Sequence, residues 1–438
     1  LSKLIKKNVQ HGALVVIENA TGDILAFHGS SEFESSNGGQ VNGALSLRSA
    51  GSTLKPFHYA LAFQNQGLYP GTIIADIPTD YQTEEGLDAP KNFDRRHHGP
   101  VSIRNALGSS LNVSAMRMLN QLGGPEPLHT LLNKLDVKLS LQAAEYGLGL
   151  TIGNAEVSLL SLTNAYATIA RLGEHFPPSL IHQSETNSIY PLTPEACFLI
   201  TDILSDNQAR AGAFGNDSIL RLPFRCAVKT GTSSDFRDNW CLGFTAHYTV
   251  GVWVGNFDNT PMAGISGVTG AGPIFHRTML ALHQEHAPAF PSPPHSLARI
   301  SVDERTGHYF PTLPKKGTPY HKRELCPKDR LPLPVSNQDY HPDKRALLSL
   351  DYAEWFQSDD NIKSRASALS DSRPITSLSL KFLAPLPGAT YYLDPELPGN
   401  TDQLKLGANL KNVIWTSDTL NIIRGQATLT PGIHQLQL

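Results

Sequence analysis

Residues Arg225 to Val254 read RCAVKTGTSSDFRDNWCLGFTAHYTVGVWV. Three segments of this stretch, Arg225 to Lys229, Asn239 to Gly243 and His247 to Val254, alternate with the period of two that sends successive side chains to opposite faces of a strand. They are expected as neighbouring strands of an antiparallel sheet. Far upstream, Gly12 to Phe27 (GALVVIENATGDILAF) has two β-branched or apolar runs around the turn cluster Asn19 to Asp23, the pattern of a hairpin. Between hairpin and strands, Ser52 to Gln66 carries Leu54, Tyr59, Leu61 and Phe63 at helical spacing, with Pro56 in the first turn, where its missing N–H costs little. Val101 to Leu122 and Glu156 to Leu172 are also expected as helices, the second stopped by Gly173. Strands at both ends of one region with helices between them define an α+β domain whose ends meet in one sheet.

The 438 residues, 40% hydrophobic and 17% charged, suffice for two or three globular units. A net charge of −3 removes any global electrostatic case for nucleic acid or an anionic membrane surface. Cys197, Cys226, Cys241 and Cys326 are too few and too scattered for a disulfide framework, and none forms a C-x-x-C pair. Cys226 and Cys241 flank a turn but read as isolated buried thiols, because a cross-strand disulfide demands particular geometry. No run of 18 apolar residues marks a membrane helix. The opening LSKLIKKNVQHGALVV has neither an initiator Met nor a signal-peptide pattern, so a fragment or processed form with its targeting signal upstream is expected.

Beyond the catalytic-looking region, Ala287 to Pro294 (APAFPSPP) reads as a linker, and a helix is expected at Pro342 to Phe356. Strand candidates Ser377 to Phe382, Lys411 to Trp415 and Gln426 to Leu429, with turns at Leu386-Pro387-Gly388 and Pro431-Gly432, suggest a small all-β sandwich. The polar run Asp94 to His98 reads as a solvated loop, and His283 with His286 as a helix surface rather than a metal site.

Three patterns follow one another along the chain: Gly51-Ser52-Thr53-Leu54-Lys55-Pro56-Phe57, Ser109-Ser110-Leu111-Asn112-Val113, and Val228-Lys229-Thr230-Gly231-Thr232-Ser233. Ser-x-x-Lys or Ser-x-Asn alone arises by chance on the order of once in a chain this long. Lys-Thr-Gly-Thr is much rarer, and all three in order, the first at a helix start and the last on a strand, are a specific signal. A lysine one helical turn after a serine can take its proton, provided burial or a second cation keeps the lysine neutral. Lys229 on the neighbouring strand supplies such a cation, and Ser110 can relay a proton to a leaving amine. The Asn112 amide suits a peptide bond in a substrate. Thr230 and Thr232 beside Lys229 suit a carboxylate, and Gly231 is expected to let a substrate approach the strand. Helix N–H groups and a strand N–H near Thr232 would hold an oxyanion. Together these describe acyl transfer through a serine ester on a peptide ending in a free carboxylate.

Around these motifs, longer stretches carry a family resemblance. ENATGDILAFHGS, LRSAGSTLKPFHYALA, PKNFDRRHHGPVSIRNALGSSLNVSAMRML, VSLLSLTNAYATIARLG and VKTGTSSDFRDNWCLGFTAHYTVGVWVGNFDN resemble the transpeptidase region of the bifunctional class A penicillin-binding proteins over roughly residues 10 to 285. The tail, LKFLAPLPGATYYLDPELPG through LTPGIHQLQL, is similar to the β-domain that ends the 1C group of that family. The resemblance implies the serine β-lactamase/D,D-transpeptidase fold, an antiparallel sheet with helices on both faces, followed by an Ig-like sandwich. Its implied units are 1–285 (transpeptidase), 286–370 (connector) and 371–438 (β-sandwich). It implies Ser52 as acyl nucleophile, Lys55 as base, Ser110 and Asn112 as second motif, and Lys229, Thr230, Gly231 and Thr232 as the substrate strand.

The implied activity is cross-linking of peptidoglycan stem peptides from a D-Ala-D-Ala donor to an amine acceptor, with β-lactams trapping the same serine and no metal or organic cofactor. The implied setting is the periplasmic portion of a bacterial inner-membrane protein whose anchor and glycosyltransferase domain lie upstream, with a cell-wall or protein partner for the β-domain. Ala50 stands where many relatives have Pro. The motifs do not separate transpeptidase from D,D-carboxypeptidase, nor exclude a binding module with a vestigial site. No convincing Glu-x-x-Leu-Asn segment supports a β-lactamase.

Overall fold

The computed structural model describes residues 2–83, 86–182, 187–285, 288, 290, 292–361, 367–370, 382–385, 391, 403–408 and 413–437. Its centre is a five-stranded antiparallel sheet. We label the strands β1 (His11–Glu18), β2 (Ile24–His28), β3 (Ile73–Asp76), β4 (Gly99–Ser102), β5 (Ala227–Thr232), β6 (Asp238–Phe244), β7 (Tyr248–Gly255), β8 (Leu297–Asp303) and β9 (His321–Pro327). In the central sheet the order is β2-β1-β7-β6-β5, so the first hairpin pairs directly with the last strands of the domain, His11 opposite Gly255. The expected meeting of chain ends is therefore observed, and β5 lies at a sheet edge.

The helices are α1 (Lys55–Gln66), α2 (Ile103–Gly108), α3 (Asn112–Gln121), α4 (Glu126–Lys134), α5 (Ala143–Tyr146), α6 (Leu159–Ala170), α7 (Pro194–Leu204), α8 (Asn207–Phe214), α9 (Gly272–Leu282) and α10 (Ala353–Gln357). The period-two pattern assigns them to both faces. Ala13, Val15, Ile17, Trp240 and Leu242 join one core with the buried faces of α1, α6 and α7. Val16, Cys241, Val250, Val252 and Val254 join another with Phe275 and Met279 of α9. Each fully buried side chain of this kind contributes about 1.5–3 kcal/mol of transfer free energy, so the sheet is held from both sides. All four cysteines are buried free thiols, and Cys241 stands opposite Thr230 rather than Cys226.

Two expected helices are corrected. The Val101–Leu122 segment begins as strand β4 and then breaks between α2 and α3, because Ser110 is left-handed (φ 58°). Ser110 N bonds Leu107 O and Leu111 N bonds Ala106 O, the paired bonds of a Schellman stop, with serine where glycine is usual. The Pro342–Phe356 segment is helical only from Leu350, where a 3-10 turn leads into α10 at Ala353; before it, Ala346–Leu348 pairs in parallel with Ala368–Ser370. Ala346 and Leu348 turn inward toward Ile77 and Trp355, an alternation that a helix would not produce.

Strands β8 and β9 pack on the helical side of the domain. Leu297 and Leu325 enter the main core, and Val302 and Cys326 cluster with Tyr69. The C-terminal tail is all-β among the described residues. Gln403–Lys405, Gln426–Thr428 and Asn421–Ile423 form one antiparallel sheet, and Phe382–Ala384 pairs with Gly407–Ala408. Most of the Ser377–Phe382 candidate, the first part of Lys411–Trp415 and the turn at 386–388 lie outside the described residues.

Candidate active site

Ser52 sits in a tight 3-10 turn, Gly51–Leu54, that runs straight into α1. The turn is fixed from several sides. Trp240 Nε1 donates to Ser49 O (2.7 Å), Tyr166 OH to Thr53 O (2.7 Å), and Ala50 N to Ala155 O (3.0 Å). Gly51 has φ 53°, and a Cβ on it would come within 2.8 Å of the Thr232 backbone. Gly231, which lines the cleft, also makes room within the fold. A Cβ there would lie 2.8 Å from both Ala50 O and Thr53 Cγ2, so the missing side chain admits the serine-bearing turn itself.

The two helices after β4 deliver the second motif. Lys55 Nζ, fully buried, donates to Ser110 O (2.7 Å) and Asn112 Oδ1 (2.7 Å) and reaches Ser110 Oγ at 3.4 Å. From the opposite side, Lys229 Nζ donates to Ser110 Oγ (2.8 Å) and to Thr230 O (2.8 Å). Burial, reinforced by the Lys229 charge, holds the Lys55 amine well below the ordinary lysine range, against the pull of Asp76. Burial brings Lys229 down to about 7, and the buried Arg210 guanidinium also acts in that direction.

Above the lysines opens a cleft of about 410 Å³. Ser52, Ser110, Asn112, Thr230, Gly231 and Thr232 line it, with Phe93 and Phe236 at its flanks. The Thr232 hydroxyl accepts from Gly267 N (3.0 Å) and so keeps its own proton to donate. Among the sequence-derived candidates, the structure thus brings all three motifs to one cleft, six residues on its wall and the two lysines beneath. His283 instead hydrogen-bonds Thr245 on the far face, and His286 lies outside the described residues.

Two supporting residues went unread in the sequence. Asp76, at the end of β3 and fully buried, accepts from Asn92 Nδ2 (2.6 Å), His98 N (2.9 Å), Ser114 Oγ (2.7 Å) and Ser114 N (3.2 Å). Asn92 Oδ1 in turn accepts the amides of Asn112 (2.8 Å) and Val113 (3.2 Å), satisfying the open N–H groups at the start of α3. A lone Asp at a strand end and an Asn in a loop have no spacing that could have marked them.

A serine in a pinned turn, two depressed lysines and a shared second serine form an arrangement chemically able to carry acyl transfer. Residues 12–279 match the penicillin-binding protein transpeptidase domain, and the chain belongs to that family. It is an acyltransferase-type penicillin-binding domain. It is 31% identical to penicillin-binding protein 1C of Escherichia coli strain K12 over 285 residues, 64% of this chain and 36% of that protein. It is 31% identical to penicillin-binding protein 1A of Aquifex aeolicus over 262 residues, 56% of this chain and 34% of that one. The chain thus spans about a third of the length of these relatives. The crystal structure of penicillin-binding protein 1A from Haemophilus influenzae superposes with a TM-score of 0.64 at 25% identity, covering 75% of this chain and 54% of that one. The Mycobacterium tuberculosis PonA1 protein in complex with penicillin V shares the fold, with a TM-score of 0.54 at 22% identity over 69% of this chain and 84% of that one.

Proposed function

We propose that the chain is a serine D,D-transpeptidase acting on peptidoglycan stem peptides, with Ser52 as nucleophile and Lys55 as its base. The observation that carries this is the convergence of Lys55 and Lys229 on the Ser110 hydroxyl, in the cleft that Ser52 also lines. Neutral Lys55 takes the Ser52 proton as Oγ bonds to the carbonyl carbon of the penultimate D-Ala. The C–N bond then breaks, and the proton passes through Ser110 to the departing D-Ala amine. The neighbouring Lys229 ammonium favours that transfer and, with Thr230 and Thr232, receives the terminal carboxylate. Edge strand β5 suits an extended peptide laid alongside it. An amine of a second stem then attacks the ester, releasing Ser52 and taking the acyl group. A β-lactam acylates the same serine.

On this reading residues 1–285 are the catalytic unit, 286–370 connect it, and 371–438 offer a β-domain for a cell-wall or protein partner. The site works outside the cytoplasm, where its polymer is.

The test is covalent labelling with a fluorescent penicillin. Label on the native chain and none on Ser52→Ala is the expected result, and an unlabelled native chain refutes the proposal. A stem pentapeptide supplied with and without an amine acceptor then reports ligation or hydrolysis, and hydrolysis alone would make the chain a carboxypeptidase.

A further inference from the structure

The segment Leu297 to Asn361 lies beyond the residues of the family match, which end at 279, yet it grips the chain on both sides of Ser110. The first grip is ionic. Glu324 of β9, its side chain 1% exposed, takes Arg104 Nε at 2.8 and 3.0 Å and Nη2 at 2.7 Å. Arg104 lies in α2, where it also binds Asp202 (2.6 Å) and Asp206 (3.1 Å). Six residues later α2 has ended in the left-handed Ser110.

The second grip is aromatic. Trp355 of α10 covers Gly99 so closely that a Cβ there would lie 2.2 Å from the indole, and its Nε1 donates to His97 O (2.7 Å). Asp360 accepts from His97 N (2.9 Å). The next amide, His98 N, donates to Asp76, which Asn92 links to the first turn of α3. Contacts therefore run unbroken from Trp355 to Asn112.

We propose that this segment is a positioning clamp for the second motif. Glu324 and Trp355 hold α2 and the 92–99 loop so that Ser110 and Asn112 stay within reach of Lys55 and Lys229. A left-handed serine persists only where its surroundings over-determine it, and the two attachments supply that constraint from opposite ends of the motif. The bidentate Arg104–Glu324 fork fixes direction as well as distance, which a single hydrogen bond would not. Neither residue touches the cleft, so both act through the groups they hold. The proposal rests on Ser52 being the acylated residue.

The experiment uses the full chain and a fluorescent penicillin, counting reactive sites by burst titration and then measuring the acylation rate constant and the dissociation constant per reactive site. Trp355→Ala and Glu324→Gln are expected to slow acylation about tenfold or more per site, since small misplacements of reacting groups are costly, with the dissociation constant little changed. Trp355→Phe, which keeps an aromatic over Gly99, is expected to restore most of the rate. Asp360→Ala, at a partly exposed side chain, is the milder variant should the others fail to fold, with about a threefold loss expected. A wild-type rate per reactive site in the folded variants, whether or not the number of sites falls, overturns the clamp. An unlabelled native chain refutes the Ser52 reading instead.

Discussion

Lys55 Nζ stands 2.7 Å from Asn112 Oδ1, so the amine that must lose its proton to serve as a base is held by a neutral amide oxygen. An amide accepts from an amine whether or not the amine is charged, which lets one geometry serve both protonation states. A carboxylate in the same place would favour only the ammonium form. Asparagine therefore orients Lys55 without undoing the depression that burial and Lys229 produce.

Asn112→Asp is accordingly expected to do more than weaken substrate binding. It raises the Lys55 pKa, moving the acid limb of acylation to higher pH and slowing acylation at neutral pH by roughly a hundredfold, the scale of general-base catalysis. Asn112→Ala removes the orienting bond without adding charge, so the limb should not move upward. Acylation rates with a chromogenic β-lactam between pH 5 and 10 distinguish the two. Equal profiles for both variants would show that the Asn112 oxygen does not govern Lys55.

Lys229 makes a stability prediction with a definite sign. Its folded pKa, near 7, lies below the ordinary value of 10.5, so between those limits the unfolded chain binds a proton that the folded chain does not. Its contribution to stability therefore rises with pH from about 7 to 10.5, with a limiting slope of about 1.4 kcal/mol per pH unit, and is at its worst below 7. Denaturant titrations should show the native chain gaining on Lys229→Met across that window. Affinity for a carboxylate ligand should fall as the pH rises through about 7, where the folded chain loses that cation. A constant stability difference from pH 7 to 10 would contradict the burial argument.

The sheet was legible because its strands carry a clean alternation: Val250, Val252 and Val254 on one face and Trp253 on the other could be read directly. The motif residues were legible because their chemistry restricts their types and spacing. The α2–α3 break was not, since a serine is seldom left-handed and Val101 to Leu122 otherwise keeps helical periodicity. The role of Gly231 was also hidden. A glycine on a strand announces a close approach but not every partner, and one partner is the Ala50–Thr53 turn of the same chain. Asp76 and Asn92 became visible only when folding gathered β3, the loop before β4 and α3 around them.

Asp76→Asn tests that buried support. Two carboxylate oxygens accept four hydrogen bonds, and an amide NH₂ in place of one of them would face donors. A loss of about 3 kcal/mol is expected, the cost of leaving buried donors to a charged acceptor unmatched. The same change removes a negative charge that raises the Lys55 pKa, so in the folded fraction the acid limb of acylation should move to lower pH. That is opposite to Asn112→Asp. Urea unfolding gives the first quantity and the pH–rate profile the second, and a limb moving upward would rule out the electrostatic link.

Gly153→Ala tests how the nucleophile turn is held. Gly153 has φ 87°, and a Cβ there would lie 2.0 Å from Gly51 O and 2.1 Å from Gly51 N. No rotamer relieves such a clash, because backbone meets backbone, and either the 147–153 turn or the Ser52 turn must move. Gly123, with φ 96° and open space around its Cβ position, isolates the conformational cost alone. Gly123→Ala is expected to cost about 1–2 kcal/mol and leave acylation unchanged. Gly153→Ala should cost more, about 3 kcal/mol or above, with overpacking added to the left-handed strain, and should slow acylation of the folded protein as Ser52 shifts from Lys55. Unfolding curves and acylation rates on the two variants measure both effects. Equal costs with equal rates would mean that the turn yields elsewhere and that Gly153 does not set the position of Ser52.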